Sequence, residues 1–120
     1  MISGVHAIIY SKQADAVRAF FRDVIGFPSV DAGRGWLIFA LPPAELGIHP
    51  SAAAASHELY LMCDDLEATI AELAPKGVRT NGTIVDQGWG RVTTLRIAEG
   101  VDVGLYQPRH PTALHLSGKQ

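Results

Sequence analysis

The chain has 120 residues, 48% of them hydrophobic and 18% charged, a composition that suits a packed globular protein and excludes a disordered one. Its net charge of -2 gives no electrostatic footing for nucleic acid or an anionic membrane, and its single cysteine, Cys63, cannot close an intrachain disulfide. No apolar run approaches the ~18 residues of a membrane span, and the opening MISGVHAIIYSKQAD lacks a basic segment ahead of an apolar one, so a cytoplasmic domain is expected.

Val5 to Tyr10 is a run of strand formers, with His6, Ile8 and Tyr10 on one face. Ser11 is placed to cap a helix in which Val17, Phe20, Phe21, Val24 and Ile25 form one apolar stripe. Gly26 suits a left-handed helix end, and Pro28 stops continuation. Three short strands are expected next, over Ser29 to Ala32, Trp36 to Leu41 and Ala44 to His49, the first two joined by the turn Gly33-Arg34-Gly35. Pro50 to Ser56 is small and low in complexity, as a linker is.

His57 then opens a second strand, with His57, Leu59 and Leu61 assigned to one face and Tyr60 and Met62 to the other, against the helix. Asp64 with Glu67 fits a capping box, Leu66, Ile70 and Leu73 form the buried stripe, and Pro75 bends or ends the helix. Strands are expected over Val78 to Thr83, Arg91 to Ile97 and Val101 to Tyr106, with Gly88-Trp89-Gly90 as a turn. Arg91 and Arg96 are expected in solvent. Arg109-His110 is placed to hold the tail or a partner, and the tail to be fixed only by a partner surface.

His6 and His57 lie 51 residues apart, as do Gly26 and Gly77, so the chain reads as two copies of one β-α-β-β-β module. Residues 1–120 then form one domain, with modules at about 2–50 and 56–111 and a tail at 112–120. The fold class is α+β. A helix covers only one face of each small sheet, so the two uncovered faces would enclose a cleft, with His6 and His57 aimed into it.

VHAIIYSKQADAVRAFFRDVIGF, ELGIHP, HELYLMCDDLEATIAELAPKGV and GWGRVTTLRIAEGVDVGLYQP together resemble the vicinal oxygen chelate superfamily, the glyoxalase, bleomycin-resistance and extradiol-dioxygenase group. The resemblance implies paired modules around a cleft and a homodimer. In metal-dependent members it also implies four converging ligands, two from first strands and two from last strands. Carried over, the first-strand positions are His6 and His57, while Gly47 and Gly104 stand where carboxylates are usual.

Two readings follow. In one, the cleft binds a small molecule without a metal, using Trp36, Trp89, Tyr106, Gly47 and Gly104, the glycines leaving room for a ligand to approach the backbone. In the other, His6, His49 and His57 hold a divalent ion (Zn, Ni, Mn, Fe or Co) as a Lewis acid for a lyase, isomerase or dioxygenase-like reaction, with Glu45 or Tyr106 moving protons. Neither reading involves nucleic acid. Cys63 beside Asp64 and Asp65 is not a nucleophile, since adjacent carboxylates raise a thiol pKa.

Overall fold

The apolar stripes do form helices. In the computed structural model, which describes residues 6–48 and 50–116, α1 spans Ala14–Ala19 and runs on as a π-helical segment, Phe20–Ile25, before Gly26 turns the chain at φ +84°. Val17, Phe20 and Phe21 are buried along it. The cap differs from expectation: Gln13 is the N-cap residue, and Ser11 Oγ accepts from its backbone N–H at 2.9 Å. β1 (Ser29–Asp31) and β2 (Leu37–Phe39) form an antiparallel hairpin around the Gly33-Arg34-Gly35 turn. The Asp31 carboxylate accepts from the backbone N–H groups of Gly33 and Gly35 there.

The second half is complete. β3 (Tyr60–Met62) leads into α2 (Leu66–Leu73) and a 3₁₀ turn (Ala74–Lys76), where Pro75 ends the α-helix as expected. β4 (Arg79–Thr80), β5 (Val85–Asp86), β6 (Gly90–Ala98) and β7 (Val101–Pro108) follow. The sheet order is β3-β7-β6-β4, with β5 also on β6; β3 runs parallel to β7 and the other pairs are antiparallel. α2 packs on one face, where Leu66, Leu73, Leu95 and Leu105 join Val17, Phe20 and Phe21 in a single core. This is an α+β fold. Among the described residues no helix is long and apolar enough to cross a membrane.

Several expectations are corrected. Asp65, not Asp64, caps α2, accepting from Ala68 N at 3.0 Å, and Glu67 pairs with Arg91 instead of closing a capping box. Arg91 and Arg96 are therefore not free in solvent; Arg96 is bound to Asp102. Of the first half's outer strands, residues 6–10 and 44–48 take no strand pairing in this chain, and Ile8, Tyr10, Leu46 and Ile48 are exposed. A strand needs an edge to bond to, and the hairpin β1–β2 is the one sheet the described first half builds.

Candidate functional site

Strand alternation decides which side chains share the sheet face opposite α2. The register pairs Tyr60 with Gly104, Met62 with Tyr106, and Val92 with Tyr106, so these residues lie together on that face. Leu59, Leu61 and Cys63 pack into the core instead. The sequence expectation for this strand is thus inverted. Tyr60 and Met62 face away from the helix, and His57, three residues before β3, falls on the opposite parity from Tyr60. Glu58 has the matching parity, and its Oε1 accepts from the Tyr60 hydroxyl at 2.9 Å.

The two halves also differ by one residue. The helices begin at Ala14 and Leu66, 52 residues apart, while the closing glycines Gly26 and Gly77 are 51 apart. The extra residue of the first helix is accommodated where it becomes a π-helix. Counted from the helix starts, the position matching His6 is Glu58.

Three rings cluster on this face. Tyr60 and Tyr106 meet edge to face at 5.6 Å between centroids, Trp89 and Tyr106 at 5.3 Å, and Tyr60 and Trp89 at 6.2 Å. Such geometry suits the ring quadrupoles. Tyr106 is 8% exposed, whereas Tyr60 and Trp89 each keep 37% of their surface open. The cluster explains Gly104. A methyl group there would overlap the Tyr60 ring, with ring carbons at 2.5 and 3.0 Å and one nearer still. Gly104 therefore does not leave room for a ligand; Tyr60 fills the space. Gly90 is similarly closed in by Gln107 and Tyr106. Gly47, by contrast, would carry a methyl group with no atom within 4 Å of it, and Trp36 is 68% exposed at the first hairpin, away from the cluster.

A polar group adjoins the rings. Glu45, whose side chain is 16% exposed, accepts from Ala113 N at 2.7 Å and from the Tyr106 hydroxyl at 3.4 Å. His110 Nε2 lies 3.3 Å from that hydroxyl and 3.8 Å from Glu45 Oε2, and the His110 ring stacks on Tyr106 at 6.0 Å. Glu45 and Tyr106, 61 residues apart in sequence, are brought together. Tyr106 ionises above the ordinary phenol range, chiefly because it is desolvated and then because Glu45 lies beside it; Tyr60 is raised by desolvation and by Glu58. Burial likewise raises the Cys63 thiol. Within the chain Glu45 bonds the tail at Ala113, and Arg109 pairs with Asp86.

The metal-ligand expectation fares differently. His6 is exposed on the unpaired N-terminal segment, His57 is exposed ahead of β3, and His49 lies outside the described residues. Gly47 and Gly104 supply no donor, and at Gly104 the Tyr60 ring stands where a ligand side chain would have to pass. Among the described residues no three His, Cys, Asp or Glu side chains come together as a metal-holding group. The residues at these positions do not fit a four-ligand chelate.

Tyr60, Glu58 and His110 were not singled out by sequence for the site. For Tyr60 and Glu58 the usable signal was the strand-to-helix junction: counting back from the true cap, Asp65, gives the right parity. For His110 the sequence carries no signal, because only the folded tail brings it to Tyr106.

This fold matches a known group of proteins. The family described as Glyoxalase/Bleomycin resistance protein/Dioxygenase superfamily matches residues 4–102, and the chain belongs to it. Among solved structures, the chain is similar to TnmS3, an antibiotic binding protein from Streptomyces sp. CB03234, at 28% identity and TM-score 0.60, covering 89% of this chain and 97% of that one. A glyoxalase/bleomycin resistance protein from the same organism is 27% identical, with TM-score 0.52 and 81% and 92% covered. A superfamily member from Sphaerobacter thermophilus DSM 20745, at 24% identity, TM-score 0.57 and 88% and 97% covered, shares the fold. No curated protein sequence matches the chain.

Proposed function

We propose that the protein binds a small, flat aromatic molecule on the sheet face formed by Tyr60, Trp89 and Tyr106, as a sequestering protein and without a metal. The observation that carries this reading is the ring cluster itself: a buried Tyr106 braces two rings that each leave over a third of their surface open for stacking. The likeness to an antibiotic binding protein at 28% identity supports it. The acidic Glu45 and Glu58 lie at the edges of the rings and suit a ligand with donor or cationic groups.

The site is expected to be completed in a homodimer. The chain exposes 9256 Å², against about 6,300 Å² for a folded monomer of 12.9 kDa. Its radius of gyration is 15.3 Å, where a domain of this length has about 13.6 Å. The surplus surface is apolar and concentrated in the first half, at Ile8, Tyr10, Val30, Trp36, Leu46 and Ile48. A second copy covering those residues would close the cleft over the rings.

The test uses Trp36→Phe, which leaves Trp89 as the sole tryptophan. Titration with flat polycyclic aromatics, antibiotics among them, should quench Trp89 and raise the melting temperature, and Trp89→Ala should abolish the binding. Two results overturn the reading: no compound of this class stabilising the protein, or tight uptake of Zn, Ni, Mn, Fe or Co that His6→Ala removes.

A further inference from the structure

We infer that His110 is a positioning residue of this site: from the C-terminal segment it holds the Tyr106 hydroxyl beside Glu45 and so sets the tilt of the ring on which Tyr60 and Trp89 lean. The inference rests on the proposed aromatic site.

The His110 ring is oriented by its own backbone. Its Nδ1 lies 2.8 Å from the Pro111 carbonyl, and a carbonyl only accepts, so Nδ1 carries the proton of that bond. Nε2 is then the accepting nitrogen, 3.3 Å from the Tyr106 hydroxyl, and shares that hydroxyl's one proton with Glu45. Glu45 Oε2 lies 3.4 Å from the same hydroxyl and 3.8 Å from Nε2, so the three atoms form a triangle. Glu45 is itself fixed by the Ala113 N–H, from the same segment as His110. Met62 and Val92 flank the Tyr106 ring across the strands, and the polar clamp constrains its hydroxyl end. Arg109 anchors the segment from the other direction, through its backbone N–H to Trp89 O at 2.8 Å and its side chain to Asp86. Tyr106 lies on β7, and His110 and Ala113 lie on the segment that follows it.

Stacking of His110 on Tyr106 and hydrogen bonding to it predict different things, and substitutions separate them. In the Trp36→Phe background, ring currents from Tyr106 displace the Trp89 indole signals in the NMR spectrum of the ligand-free protein. His110→Phe keeps a ring against Tyr106 but removes the hydrogen bond, and it should move those signals toward their unstructured positions. His110→Gln places an amide near the position of Nε2 and should restore them. Tyr106→Phe keeps the ring, removes only the hydroxyl and should reproduce the His110→Phe spectrum, which guards against a His110 variant that fails to fold. If His110→Phe or Tyr106→Phe leaves the Trp89 signals in place, or if His110→Gln behaves as His110→Phe does, the inference is overturned. The readout needs no ligand, so a failure of aromatic compounds to bind would refute the proposed function while this result stands separately.

Discussion

Gly104 and Tyr60 form a coupled pair whose sign can be measured. In a strand, glycine is less favourable than alanine by about 0.5–1 kcal/mol, and the backbone at Gly104 does not require glycine, since its φ is not positive. Taken alone, Gly104→Ala should stabilise. In the native protein the added methyl group meets the Tyr60 ring, with ring carbons at 2.5 and 3.0 Å. Relieving that overlap moves the ring off its edge contacts with Tyr106 and Trp89. Each such aromatic pair is worth about 0.5–1.5 kcal/mol beyond area burial, and overpacking of this kind typically destabilises by about 1–3 kcal/mol. Gly104→Ala should therefore destabilise by about 1–2 kcal/mol net. In a Tyr60→Ala background the ring is absent, and the same change should stabilise by about 0.5–1 kcal/mol. Urea denaturation of the four proteins, followed by far-UV circular dichroism, gives the double-mutant cycle. Equal effects in both backgrounds, to within about 0.5 kcal/mol, would show that Tyr60 does not occupy the Gly104 side-chain space.

Phe21→Ala should cost about 3–5 kcal/mol, because Phe21 is buried and contacts Phe20, Phe27 and Phe39; urea unfolding should show the midpoint collapse. Glu67 is lowered from 4.5 to about 2 by Arg91, so its stabilising contribution is present above 4.5 and lost as pH falls toward 2. Melting curves across that window should fall less steeply in Arg91→Gln than in the parent, and the difference should shrink in high salt because the pair is exposed. If the proposed homodimer forms, Leu46→Asp with Ile48→Asp, at two positions that are each 87% exposed, should shift sedimentation to 12.9 kDa while leaving the far-UV spectrum unchanged.

The sequence was most readable where one physical rule acts alone. The Val17, Phe20, Phe21 stripe, the glycines at positions 26 and 77, and the alternation of β6 and β7 each follow from local periodicity or from backbone freedom at a helix end. The site was harder to read because its geometry depends on parity. The pairing of β3 with β7 sets Tyr60 opposite Gly104 and Met62 opposite Tyr106, which places Tyr60 with Tyr106 and leaves His57 on the other parity. The equal 51-residue spacing of the histidines and of the glycines concealed this, since the one-residue difference is absorbed inside the first helix and not at either marker. Glu45 and Tyr106 were recognisable as polar candidates on strand ends, but their meeting depends on the tail, whose path no periodicity encodes.

The C-terminal clamp has a bearing on how such a protein diversifies. The sheet ends with β7, and His110 and Ala113 come after it. A short segment, wrapped back onto Glu45, can be rewritten without disturbing the core formed by Leu66, Leu95 and Leu105. A library confined to positions 109–113 would explore ligand preference at little risk to folding, with the ring tilt as the inherited variable.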